Sequence, residues 1–164
     1  MRIDRERLRR AFEHEERRFQ GQNPRSKALF ERARGSLLGG VPMSWMTQWA
    51  GSFPIFIQEA SGARISDVDG NSYLDLCLGD TGAMTGHAPP AAVEALYSQA
   101  RRGLTFMLPT EDSVWVGEEL SSRFGLPFWQ LAMTATDANR FVLRLARAIT
   151  GRGRVLVFNW CYHG

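Results

Sequence analysis

Residues 128–164, FWQLAMTATDANRFVLRLARAITGRGRVLVFNWCYHG, read as a strand, a tight turn of small hydroxyl residues, a helix, a glycine turn and a second strand. Leu131 and Met133 end the first strand, and Thr134-Ala135-Thr136-Asp137 makes the turn. Ala138, Phe141, Val142, Leu145 and Ile149 then recur at helical spacing on one face, with Arg140, Arg144 and Arg147 pointing away from it. Residues 154–160 form a nearly continuous apolar run, the pattern of a strand covered on both faces. Strand, crossover helix and strand make one βαβ unit, whose connection is right-handed, and predict an α/β layer with a parallel sheet.

The first turn of that helix leaves backbone N–H groups unpaired, and its dipole favours negative charge. Thr134 and Thr136 add hydroxyl donors, so the turn suits a phosphate monoester at the edge of the sheet where α/β proteins bind ligands. The same residues also fit a plainer role, with Thr136 or Asp137 capping the helix. A dinucleotide or P-loop site fits worse: Gly151 to Gly153, the only G-x-G, follows the helix, and no GKS or GKT occurs. Tyr162 arrives at the same edge, where an aromatic either packs or stacks on a planar ligand.

Working outward, residues 4–19 predict a helix with a thin apolar stripe of Leu8, Phe12 and Phe19. Gly21 to Pro24 break it, and a second helix starting near Pro24 ends before Gly35. The stretch MSWMTQWAGSF, residues 43–53, carries two tryptophans and two methionines without clean periodicity, as pocket lining or as filler. Residues 54–79 read as short antiparallel strands, with Gly62 in one turn and Asp69-Gly70 in another. A glycine-rich loop, GDTGAMTGHAPP, leads to a helix bearing Val93, Leu96, Tyr97 and Ala100. Thr110 is the expected N-cap of a further helix, which Gly125 and Pro127 stop.

Composition narrows the classes. A chain of 164 residues suffices for an ordinary domain. No apolar run approaches the length that spans a bilayer, and the charged N-terminus lacks the apolar core of a secretory signal, so no membrane role and a cytoplasmic location are expected. Cys77 and Cys161 make neither a disulfide framework nor a metal spacing and are expected as small core residues. His14, His87 and His163 lack partners at metal-ligand spacing, so no metal is expected. Of the net charge of +3, eleven basic and six acidic residues fall by Arg34; the mixed signs fit a solvated helical face better than a nucleic-acid stripe.

Taken in order, GGV (39–41), DVDGNSYLDL (67–76), GH-x-P (86–89), PTE (109–111), TATDA-x6-LARAITGR (134–152) and VFNWCYHG (157–164) resemble the class III pyridoxal-phosphate-dependent aminotransferases. The likeness is greatest to the glutamate-1-semialdehyde aminomutase-like branch, and it covers the chain from about Asn23 onward.

The resemblance implies a fold-type I enzyme. Residues 1–36 would form a helical arm, 37–103 the small-domain strands with the glycine-rich loop and a helix, and 104–164 the beginning of the cofactor-binding large domain. The family's phosphate cup, Ser-Gly-Thr-Glu-Ala, stands here as Thr134-Ala135-Thr136-Asp137-Ala138. Thr134, Ala135 and Thr136 thereby become expected phosphate contacts, Tyr162 the residue stacked on the pyridine ring, and His163 its neighbour. The aminomutase branch places a substrate-binding arginine a few residues after GGV; here that position falls near Met46, which favours a transaminase. Pyridoxal-phosphate catalysis needs a lysine and an acid beside the pyridinium nitrogen, and in the family both follow the CYHG motif. Lys27, the only lysine, matches neither, so no catalytic residue is expected in this chain. It is expected to be an N-terminal portion, inactive alone, of an enzyme moving an amino group between a small-molecule amino donor and an oxo acid. A homodimer is implied at full length. The rivals are an aminomutase, which is an isomerase, and a non-catalytic interaction module.

Overall fold

A computed structural model describes residues 4–161, and the chain divides into two compact units, 1–104 and 105–164.

The first unit begins with α1 (Arg5–Gln22), where Asp4 Oδ1 accepts from the backbone N–H groups of Glu6 and Arg7 at 3.1 and 3.0 Å. The helix runs through Gly21, beyond the expected break, and stops at Asn23. The residue before a proline is pushed out of the helical region, whereas a single glycine near a helix end costs only about 1 kcal/mol. Pro24 then opens α2 (Pro24–Ala33) at its first position. Three antiparallel strands follow in the order β1 (Ile57–Ser61), β2 (Arg64–Asp67), β3 (Ser72–Leu74), with Ser61 opposite Arg64 and Ser66 opposite Ser72. Helix α3 (Pro90–Ala100) completes the unit.

The DVDGNSY turn joins these elements. Asp69 receives the N–H groups of Arg25 and Ser26 at 2.6 and 2.9 Å and the Ser26 hydroxyl at 2.7 Å, so a carboxylate from the hairpin caps α2. Ser26, fully buried, accepts in turn from the Phe56 N–H at 3.2 Å. Asp67, 1% exposed, accepts from Asp69 N, Asn71 N, Asn71 Nδ2 and the Tyr73 hydroxyl. Burial pushes the Asp67 carboxyl up, but its hydrogen bonds from Asn71, Tyr73 and Asp69 outweigh that and hold it below the usual carboxylate range. Burial likewise opposes, and the donors from Ser26 and Arg25 win, at Asp69. Tyr73 is pushed up to about 12, by burial first and then by its bond to Asp67.

Gly40 explains the GGV motif: its φ is +75°, and a Cβ there would sit 2.7 Å from the Phe30 ring. Val41 and Phe53 are the buried hydrophobic residues among those described, and Phe53 meets Phe19 of α1 at 4.9 Å between ring centroids.

The second unit holds α4 (Glu111–Phe124) and α5 (Ala135–Thr150), ended by Gly125 and Gly151 in the left-handed conformation at φ 69° and 68°. The two flanking stretches expected as parallel strands, ending at Met133 and spanning 154–160, form no β-ladder among the described residues. Leu156 and Phe158 are 96% and 86% exposed. Strands of this continuous apolar kind are held by hydrogen bonds along their edges and layers on both faces, and nothing described in this unit supplies them. Cys77 and Cys161, expected in a core, are both exposed.

Asp69→Ala is expected to cost about 2–3 kcal/mol in urea denaturation, through a lost cap and an orphaned buried hydroxyl. Glu6→Ala, which removes one exposed ion pair, should stay within about 0.5 kcal/mol. Because Asp67 and Asp69 titrate lower in the folded chain than the ordinary 3.8, their stabilisation is complete above that value and is lost as pH falls through the folded values. The urea midpoint should drop below about pH 4, and Asp67→Asn should flatten that acid limb; an identical slope in the variant would count against this assignment.

Candidate functional site

Two places carry chemistry, one in each unit. In the second unit, Thr134 is the N-cap of α5, where Thr136 or Asp137 was expected. Its Oγ1 accepts from the Asp137 N–H at 3.0 Å and donates its proton to Asp137 Oδ2 at 3.0 Å. A side chain at the cap reaches forward two or three residues to an unpaired N–H, which a threonine ahead of the helix can do and Thr136, already helical, cannot. Asp137 Oδ1 also accepts from Arg140 at 3.3 Å, so the carboxylate at the helix start is engaged on both oxygens.

This arrangement sorts the expected phosphate contacts. Thr134 has committed its only proton. The N–H groups of Ala135 and Thr136 and the Thr136 hydroxyl have no partner among the described residues. Those three donors, with the positive end of the α5 dipole, fit a phosphate oxygen. Tyr162 and His163 lie outside the described residues. Lys27 is in the other unit, exposed on α2, with Nζ 3.3 Å from Gln20 Oε1.

In the first unit, a cleft of about 690 Å³ is walled by Val41, Trp45, Met46, Trp49, Phe53 and Ile65, among others. Trp45, Met46 and Trp49 of the Met-Trp stretch are thus among the lining residues. Trp45 and Trp49 meet edge to face, with centroids 6.4 Å apart and planes at 83°. No lysine or arginine lines the cleft; its ionisable residues are Asp75, Cys77 and His87, of which Asp75 and His87 are paired.

Asp75 and His87 form a pair that the sequence patterns do not reveal. His87 Nε2 lies 2.6 Å from Asp75 Oδ2, and Asp75 Oδ1 accepts from the N–H groups of Cys77 and Leu78. The bond from His87 does most to hold the Asp75 carboxyl below the usual range; burial opposes it, and the two backbone donors add to it. The backbone of His87 also exchanges two hydrogen bonds with Gly62 in the β1–β2 turn, at 2.8 and 2.9 Å. Between the paired residues, Leu78, Asp80 and Thr81 take positive φ. Conformations of that kind persist where surrounding contacts over-determine them, and the Asp75–His87 bond is such a contact. The GH-x-P motif was the available signal, but twelve residues separate the partners, and the β1–β2 turn brings them together by bonding His87 through Gly62 and Asp75 through Ala63.

Among the described residues, no group of three or more His, Cys, Asp or Glu side chains is placed to hold a metal, and no helix is long and apolar enough to cross a membrane.

Residues 45–164 match the family model for aminotransferase class-III. The chain is 41% identical over 146 residues to a glutamate-1-semialdehyde 2,1-aminomutase of Desulfitobacterium hafniense, covering 87% of this chain and 34% of that protein. A solved glutamate-1-semialdehyde aminomutase of Pseudomonas aeruginosa, in complex with PMP, is 54% identical at a TM-score of 0.91, over 99% of this chain and 36% of that one. A β-phenylalanine aminotransferase of Variovorax paradoxus superposes at a TM-score of 0.88 with 27% identity, over 96% and 36%. The chain thus spans about a third of the length of these relatives and follows the fold of their matching part.

Thr134→Ala should destabilise α5 by about 1 kcal/mol, whereas Thr136→Ala should change stability by less than about 0.5 kcal/mol. Urea denaturation followed by far-ultraviolet circular dichroism checks both; equal losses would contradict the assignment of Thr134 as the cap.

Proposed function

The chain belongs to the class III aminotransferase family, and on that footing we propose that it serves pyridoxal-phosphate-dependent transfer of an amino group between an amino acid or amine and an oxo acid. Ala135 N–H, Thr136 N–H and the Thr136 hydroxyl would hold the cofactor phosphate, and Thr134 would keep the turn in shape through Asp137. Tyr162 would stack on the pyridine ring, beside His163. When bound, the cofactor supplies an electron-withdrawing ring that stabilises negative charge at the substrate carbon bearing nitrogen. The residues of this chain would anchor it: donors fixed at a helix start hold the phosphate and so orient the ring. A homodimer, with a small-molecule amino donor and oxo-acid acceptor, completes the proposal.

The observation carrying the choice of a transaminase is the absence of an arginine near Met46, where the aminomutase branch has a substrate-binding one; the cleft that Met46 lines holds no lysine or arginine. A second reading, glutamate-1-semialdehyde aminomutase, is favoured by the names of the similar proteins from D. hafniense and P. aeruginosa. Assaying the complete gene product for amino transfer to pyruvate and for isomerisation of glutamate-1-semialdehyde separates the two. Isomerisation without transfer would reject the transaminase.

For the 164-residue chain itself, pyridoxal phosphate should bind more tightly than pyridoxal, and Thr136→Ala should weaken that preference about three- to tenfold. Borohydride should trap no cofactor on Lys27, and no turnover should appear. Trapping at Lys27 accompanied by turnover would overturn the assignment of this chain as the non-catalytic part of the site.

A further inference from the structure

The Asp75–His87 pair is built like a tool and has no role in the phosphate-binding turn. An ionised carboxylate can only accept, so the 2.6 Å contact requires the hydrogen on Nε2. In the neutral ring this leaves Nδ1 as an acceptor. Nδ1 has no hydrogen-bond partner among the described residues, and no buried side-chain polar atom there is left without one, so Nδ1 is open to an incoming donor. The ring cannot easily turn away, because both the backbone and the side chain of His87 are tied.

The surroundings define what that donor should be attached to. The cleft's volume, about 690 Å³, is in the range of small-molecule sites, and such sites combine apolar walls with a few placed polar groups. Trp45 and Trp49 present an edge-to-face pair, which a further ring extends favourably. A carboxylate on the ligand would meet no cation on these walls and would face the Asp75 charge.

From this geometry we infer that the cleft is a binding pocket for an aromatic ring carrying a hydroxyl, with His87 Nδ1 accepting the hydroxyl proton in a hydrogen bond. Asp75 acts as a positioning residue that fixes the tautomer. The inference concerns the first unit by itself, and the binding needs neither cofactor nor turnover.

Tyramine and phenethylamine differ only by the phenolic hydroxyl and serve as probes in calorimetric titrations of the chain. Tyramine should bind about three- to tenfold more tightly than phenethylamine. His87→Gln keeps an N–H for Asp75 but places no acceptor where Nδ1 stood, and should erase the difference. Trp49→Ala, at an exposed position, should weaken both probes while preserving their ratio. In the unmodified chain, the nitrogen resonance of His87 Nδ1 should move with tyramine and stay put with phenethylamine, a readout that survives even if a variant fails to fold. Equal affinities in the unmodified chain, no binding of either probe, a preference that persists in His87→Gln, or an unmoved Nδ1 resonance would each overturn the inference. If amino transfer and cofactor binding succeed while these titrations fail, the binding pocket alone falls. If the titrations succeed while amino transfer fails, the pocket stands and the transaminase reading falls.

Discussion

Asp69, projecting from the turn between β2 and β3, places its carboxylate on the N-terminus of α2 across more than forty residues of sequence. That contact ties α2 to the three-stranded sheet. It brings a helix start, with unpaired N–H groups and a positive dipole end, against an anion held rigidly by a hairpin. Asp67 makes the turn rigid by taking four donors, and Ser26 extends the network to the Phe56 backbone. With Val41 and Phe53 the buried hydrophobic residues among those described, directed polar contacts do much of the organising that a larger core would otherwise perform. Such a network is demanding, because a buried donor or acceptor left unpaired costs more than a made hydrogen bond contributes.

The same logic, a carboxylate committed to defined donors, recurs at both candidate sites with different results. At α5, Asp137 is engaged by Thr134 and Arg140, and its engagement leaves the neighbouring N–H groups of Ala135 and Thr136 available to an outside anion. In the cleft, Asp75 is engaged by two backbone N–H groups and His87, and its engagement leaves the far ring nitrogen available to an outside donor. The first suits a phosphate, the second a hydroxyl. An aminotransferase must grip its cofactor tightly and its substrates selectively, and these are separable tasks for separate groups.

Helix α5 shows how far local signals carry. Its start, its end at Gly151 and its apolar stripe are encoded in neighbouring residues, and the helix forms even though Phe141, Val142, Leu145 and Ile149 remain exposed. The flanking apolar stretches show the opposite. A strand has no hydrogen bonds of its own to close, so residues 154–160 stay unpaired wherever their edge partners are not at hand.

The sequence by itself determined the formation of the helices, the short antiparallel strands with turns at Gly62 and at Asp69-Gly70, the resemblance to class III aminotransferases, and the free N–H groups at the start of the Thr134–Ala138 turn. These rest on interactions spanning a few residues, or on ordered motifs that survive without knowledge of contacts. Tertiary structure alone decided that Thr134 is the cap and bonds to Asp137, and that the tryptophans line a cleft. It alone also decided that Asp75 and His87 meet. Hydrogen-bond direction and long-range proximity are properties of geometry, and one-dimensional spacing carries neither.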